Sequence, residues 1–207
     1  MAEKKKILFI YPPSPVMNRE DRCQQPTKDL LVIPPLPPMD LMYMAAVAET
    51  ITSPCYYQAK IIDYSLENVK KEKTETSPLA QFVSDIKQFQ PDYLVVNVAS
   101  TTLENDLSIL EKAKEVLPNV MTIVKGAHFL TESTDLLYKY KSLDLIMVGE
   151  VEETLKEILE EKPYPKIKGL CYRDGFVAKY TGKRPFIKDL DKLPFPARHL
   201  VDNNMFR

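Results

Sequence analysis

Short uninterrupted apolar runs alternate with helix-period segments along most of this chain. Ile7 to Tyr11 (ILFIY), Lys60 to Asp63, Tyr93 to Val98 (YLVVNV), Val120 to Val124 and Leu143 to Val148 are the runs. Such runs suit strands of a parallel sheet covered by helices on both faces. Between them, Ser77 is placed to cap a helix that has Pro78 at its first position. Leu79, Phe82, Val83, Ile86 and Phe89 form its apolar face. Thr101-Thr102-Leu103-Glu104 fits a capping box, and Leu103, Leu107, Leu110, Ala113 and Leu117 carry the stripe onward. Leu136, Leu137 and Tyr140 mark a shorter helix, and Val151, Leu155, Ile158 and Leu159 another.

Five alternations of strand and helix predict an α/β fold: a Rossmann-like, doubly wound, parallel five-stranded sheet with right-handed crossovers. Ligands of such sheets bind at the carboxyl ends of the strands, where the strand order reverses and the loops diverge. Two segments break the rhythm. Pro12 to Pro38 holds eight prolines and is far longer than an ordinary βα loop, so it reads either as a functional loop or as irregular surface. After Pro163, Ile167 to Arg173 and Phe176 to Thr181 flank Asp174-Gly175, the turn chemistry of a β-hairpin. The expected organisation is residues 1–162 as the sheet domain, 163–188 as a small C-terminal β-hairpin extension, and 189–207 as a linker. In that last stretch Phe195, Leu200 and Phe206 have no evident partner in the sheet domain.

Composition sharpens the picture by exclusion. With 207 residues, 44% hydrophobic and 28% charged, the chain is globular, and two full domains would be a tight fit. A net charge of −1 carries no nucleic-acid footprint, and the basic run Lys4 to Lys6 reads as a solubilising flank of the first strand. No apolar stretch approaches the roughly 20 residues of a membrane helix. No signal-peptide core opens the chain, so a cytoplasmic location and no membrane partner are expected. Cys23, Cys55 and Cys171 are odd in number and far apart, which suits reduced structural thiols.

Five glycines permit neither G-x-G-x-x-G nor a P-loop, and no G-x-S-x-G elbow exists. Two histidines, His128 and His199, give a hydrolase or a metal cluster little material, so no catalytic residue and no metal ligand is assigned. What remains are three loops expected on the carboxyl edge: Ala99 to Thr102, Lys125 to His128, and Gly149 to Glu153. Their small residues would let a ligand approach the backbone, and Ser100, Thr101 and Thr102 offer hydroxyls at a helix start. A purely structural reading is also open, in which Ser/Thr cap helices, the glycines make turns, and Glu150 to Glu153 complement a helix dipole.

A set of phrases in one order makes a resemblance specific. FIYPPSP, IPPLPPMDLMYMAAVAE, PDYLVVNVASTTLENDL, VKGAHF, DLIMVGEVEETL, IKGLCYRDG and DLDKLPFPARHL together resemble the N-terminal cobalamin-binding domain of cobalamin-dependent radical SAM enzymes, over nearly the whole chain. The resemblance implies a corrinoid at the carboxyl edge with its nucleotide tail in the crevice. The residues it places there are Pro12, Pro13, Ser100, Thr101, Thr102, Gly126, Ala127, His128, Gly149, Glu150 and Glu152. It further implies a base-off cobalamin with no histidine on cobalt, since D-x-H-x-x-G is missing. A radical SAM domain, in cis or in trans, would carry the 4Fe-4S cluster and S-adenosylmethionine, because its C-x-x-x-C-x-x-C motif is absent here. The module would serve a methyltransferase or related enzyme, with no complete active site of its own. Lys125 stands where a second glycine is common in that family, and Pro37-Pro38 where a glycine precedes the first helix. Those departures support an alternative, a regulatory or interaction domain of the same fold that has lost its cofactor. A small-molecule enzyme using a nucleotide or S-adenosylmethionine on the same edge is a third reading, disfavoured by the missing glycine loops.

Overall fold

The apolar runs form the centre of a seven-stranded sheet in a computed structural model of the chain, which describes residues 4–13, 36–64, 77–131 and 133–206. The strands are β1 (Lys4–Tyr11), β2 (Tyr56–Asp63), β3 (Tyr93–Asn97), β4 (Met121–Lys125), β5 (Leu145–Met147), β6 (Leu170–Asp174) and β7 (Val177–Tyr180). Their order is β2-β1-β3-β4-β5-β6-β7, parallel through β5 and antiparallel for the last two pairs. The expected five-stranded parallel sheet is thus present, and the hairpin does not stand apart from it. Cys171 and Leu170 of β6 pair with Ile146 and Met147 of β5, extending the sheet to seven strands.

Helices α1 (Met39–Thr50), α2 (Pro78–Phe89), α3 (Leu103–Val116), α4 (Thr134–Lys139) and α5 (Glu152–Leu159) cover both faces. Side chains of a strand alternate between faces, and the core divides accordingly. Ile7, Phe9, Val95, Ile123 and Leu145 face α1 and α5, whereas Leu8, Ile10, Val96, Val124 and Ile146 face α2, α3 and α4. Because α1 and α3 lie on opposite faces, the chain leaves β1 and β3 in opposite directions. The switch point of the fold is therefore the carboxyl end of the β1/β3 pair.

The helix starts follow local chemistry. Ser77 Oγ accepts the Ala80 N–H at 3.2 Å with Pro78 just inside the helix, as the sequence leads one to expect. Phe82 and Ile86 of that helix are buried, while Leu79 at its first turn is exposed. The capping box at Thr101 does not set the start of α3. A 3-10 turn over Ser100–Thr102 shifts the helix to Leu103, and Asp106 reaches back instead, accepting the Ala99 N–H at 3.2 Å and the Thr102 hydroxyl at 2.7 Å.

Residues 184–201 are tied to the helices at several points, first within the hairpin extension and then within 189–207. Arg184 pairs with Glu157 of α5 and donates through Nε to Thr154 Oγ1 at 2.9 Å, and Ile187 N donates to Glu150 Oε2 at 2.8 Å. Farther on, Ala197 is buried, its N–H donates to Met42 O of α1 at 3.0 Å, and Leu200 and Val201 pack against the α1 face of the core. Apolar residues in that stretch found a partner because α1 presents apolar surface outward as well as toward the sheet. Phe195, by contrast, is 96% exposed. Residues 14–35, which hold most of the proline-rich segment and Cys23, lie outside the described residues, as does the side chain of Phe206.

Candidate functional site at the carboxyl edge

Each loop expected to line a ligand follows the end of a parallel strand, so the fold itself collects them. Ser100–Thr102 turn directly after β3, Ala127–Phe129 after β4, and Gly149 and Glu150 after β5. Hydrogen bonds stitch neighbours together: His128 Nδ1 lies 3.3 Å from Ser100 Oγ, and Gly149 N donates to Phe129 O at 3.1 Å. Ser100 and Thr101 are exposed at this edge, Ala127 and His128 half-buried, and Gly149 exposed. Pro12 and Pro13, just past β1, are buried, and Pro13 O accepts from Asn105 Nδ2 of α3 at 3.1 Å. Ser100, Thr101, Ala127, His128 and Gly149 thus share one surface.

Several expected residues have structural work in this geometry. Thr102 is buried and gives its hydroxyl to Asp106. Glu150 receives the Ile187 N–H, and Glu152 Oε2 accepts the Val151 N–H at 3.1 Å at the start of α5. Gly126 has φ 143° and ψ −178°, a region open to glycine alone among common residues. A Cβ there would not project into a crevice. It would fall within the van der Waals envelope of the Val98 carbonyl oxygen, with Asn97 Oδ1 2.7 Å away. The glycine is what allows the loops after β3 and β4 to touch, so its substitution acts on the fold before it acts on a ligand.

Sequence reasoning named Lys125 at this edge but missed its partner. Lys125, the last residue of β4, is only 9% exposed and forms an ion pair with Asp40 in the first turn of α1. Asp40 Oδ1 also accepts the Tyr11 hydroxyl at 2.7 Å. Burial pushes the Asp40 carboxyl up, but the Lys125 charge, with hydrogen bonds from Lys125 and Tyr11, outweighs it and holds the group below the ordinary carboxylate range. A lysine terminating an apolar strand was the available signal. Its partner, in a helix far away in sequence, was not.

Residues 36–159 match the B12 binding domain family. The chain belongs to that family. The matched region runs from the approach to α1 through α5 and so includes every carboxyl-edge loop after β3, β4 and β5. The chain is also similar to the uncharacterized methyltransferase PH0819 of Pyrococcus horikoshii, 23% identical over 196 residues, covering 87% of this chain and 40% of that protein. Among solved structures it resembles the radical S-adenosylmethionine methyltransferase TsrM of Kitasatospora setae, bound to cobalamin and a [4Fe-4S] cluster. That match has a TM-score of 0.59 and 15% identity, and covers 94% of this chain and 31% of TsrM. The cobalamin-dependent S-adenosylmethionine radical enzyme OxsB gives a TM-score of 0.66 at 15% identity, over 99% of this chain and 25% of OxsB. The chain thus spans less than half the length of each.

The donor set of the edge suits a corrin, whose periphery carries neutral amide side chains. Hydroxyls of Ser100 and Thr101, the His128 imidazole and open backbone at Gly149 are matching partners. Among the described residues, no three His, Cys, Asp or Glu side chains converge to hold a metal ion by themselves.

Proposed function

We propose that this B12-binding domain holds a corrinoid on the surface shared by Ser100, Thr101, Ala127, His128 and Gly149, with Pro12, Pro13 and Gly126 shaping the floor. Glu150 and Glu152 act by fixing the loop after β5. The observation that carries this reading is the family match across 36–159, coinciding with the loops gathered at the switch point. When bound, the corrinoid supplies cobalt-centred methyl-transfer chemistry. The chain's own residues bind and orient it and exclude water from the part they cover.

The cobalamin is proposed to sit base-off, its nucleotide tail in the crevice and no histidine on cobalt. His128 supports this role as lining: it follows β4 and its Nδ1 faces Ser100. A radical SAM domain in cis is the proposed partner, carrying the 4Fe-4S cluster and S-adenosylmethionine, and residues 189–207 lead toward it. The larger size of TsrM and OxsB favours that arrangement. A cytoplasmic location fits the buried cysteines Cys55 and Cys171.

The test is reconstitution with hydroxocobalamin followed by gel filtration, with stoichiometric corrinoid absorbance expected in the protein peak. Protein emerging without corrinoid would overturn the reading and favour a domain that has lost its cofactor, to which the Asp40–Lys125 pair lends its own support. An electron paramagnetic resonance spectrum of the Co(II) form should lack protein nitrogen splitting. Splitting that disappears in His128→Ala would refute the base-off, histidine-free assignment.

A further inference from the structure

Lys125, Asp40 and Tyr11 belong to β4, α1 and β1, and β3 lies between the two strands. A chain of contacts from Lys125 through Asp40 to Tyr11 therefore passes over the carboxyl end of β3 on the α1 face. Neighbouring strands are about 4.8 Å apart, so the span from β4 to β1 is about 10 Å, which a lysine, a carboxylate and a tyrosine hydroxyl together bridge. On the opposite face, Asn105 of α3 holds Pro13 of the β1 loop. The loops after β3 and β4 leave no space between them, since even a methyl group at Gly126 would collide with Val98. Among the described residues the switch point is thus tied across on both faces, and the α1-side tie consists of a partly buried ion pair.

We propose that Asp40 and Lys125 decide whether the crevice admits the nucleotide tail of a corrinoid, because the tail can enter only when Lys125 leaves Asp40. This rests on the corrinoid-binding reading above and adds to it a selectivity between corrinoids. One that has the nucleotide tail must open the pair, whereas one without it rests on the edge loops and leaves the pair intact. Separating two partly buried partners has a cost, and that cost falls on the tailed ligand alone.

The experiment is titration of the 207-residue chain with aquacobalamin and with diaquacobinamide, which lacks the nucleotide tail, followed by ultraviolet–visible absorbance. The same titrations are run on D40N/K125A, in which the carboxamide oxygen at position 40 can still accept the Tyr11 hydroxyl and neither charge is left without its partner. The ratio of the cobalamin Kd to the cobinamide Kd should fall at least tenfold in the double variant, with cobinamide affinity within twofold of the parent. A thermal melt establishes that the variant is folded. If it is not, K125M keeps the packed methylenes, removes the tie, and should lower the ratio at least threefold. An unchanged ratio overturns the proposal. So does a selective loss of cobalamin affinity, which would make Lys125 a contact of the tail itself. Failure of parent and variants to bind either corrinoid is a different result, and removes the corrinoid reading along with the selectivity built on it.

Discussion

Replacing Gly126 by alanine tests the claim that this residue is held by the fold and not by a ligand. Its backbone lies at φ 143° and ψ −178°, where a side chain costs about 1–3 kcal/mol of strain. The new methyl group would overlap the Val98 carbonyl and press on Asn97 Oδ1, which the buried β3 and β4 cannot relieve by small shifts. Overpacking of that kind costs a further 1–3 kcal/mol or so. Together the two effects centre on about 4 kcal/mol, a large part of the roughly 5–15 kcal/mol that stabilises a typical domain. For a protein of this size, each kcal/mol moves the melting temperature by about 2–4 °C, so Gly126→Ala should melt roughly 8–16 °C below the parent. Gly149→Ala is the internal control. Its φ is also positive, at 80°, but a methyl group there meets nothing within 4 Å, so strain of about 1 kcal/mol is all it should incur. Differential scanning calorimetry without ligand reads both variants. A Gly126→Ala melt within about 3 °C of the parent, or no lower than that of Gly149→Ala, would refute the packing argument.

Three further outcomes follow from described contacts. Asp40 has a carboxyl held below its ordinary range in the folded protein, so its contribution is complete above the unfolded value and disappears as pH falls through the folded one. The stability of Asp40→Asn should therefore decline less steeply than the parent's below about pH 4, and parallel slopes in urea titrations across that range would count against the Lys125 pairing. Arg184→Met removes a guanidinium shared among Glu157, Thr154 and the Lys168 carbonyl and should cost about 1–3 kcal/mol in chemical denaturation. A loss under about 0.5 kcal/mol would mean that the C-terminal segment is not anchored to α5. The Ala197 amide, bonded to Met42 O, should exchange its hydrogen far more slowly than the amide of exposed Phe195, and equal rates would detach the segment from α1.

How much of this was legible depended on whether the signal was local. Strands β1, β3, β4 and β5 announced themselves because both of their faces are buried and their central positions are apolar. Ser77-Pro78 encodes a helix start within two residues. Helix α1 carries no stripe to find: Leu41, Met42 and Met44 through Ala48 are all buried, since β1, β2, α5 and the C-terminal segment surround it. The order of strands placed three loops on one edge without any need to know their contacts. The Asp40–Lys125 pair, the reach of Asp106 back to Ala99 and the seating of Ala197 on α1 depend on distances between elements, which no periodicity carries. Gly126 was legible as a position on the edge, but its contact with Val98 was not, because the side on which an added side chain would fall depends on how closely β3 and β4 approach.

The strand order also has a temporal side. β1 is the first of the described strands to leave the ribosome, yet it lies inside the sheet, between β2 and β3. Once β2 has paired with it, the other edge of β1 waits for Tyr93–Asn97, for roughly 2–7 s at a synthesis rate of about 5–20 residues per second. During that interval an apolar strand edge, ILFIY, is open to any other strand in the cell. Lys4, Lys5 and Lys6 sit at its head, and in the finished protein two of them serve other partners: Lys5 meets Glu161 and Lys6 meets the Phe89 carbonyl. In the nascent chain the same three charges keep like strands apart, guarding the sheet before it closes. From β4 onward each new strand is laid beside the one made just before it, so the wait for a distant partner belongs to the first strand alone.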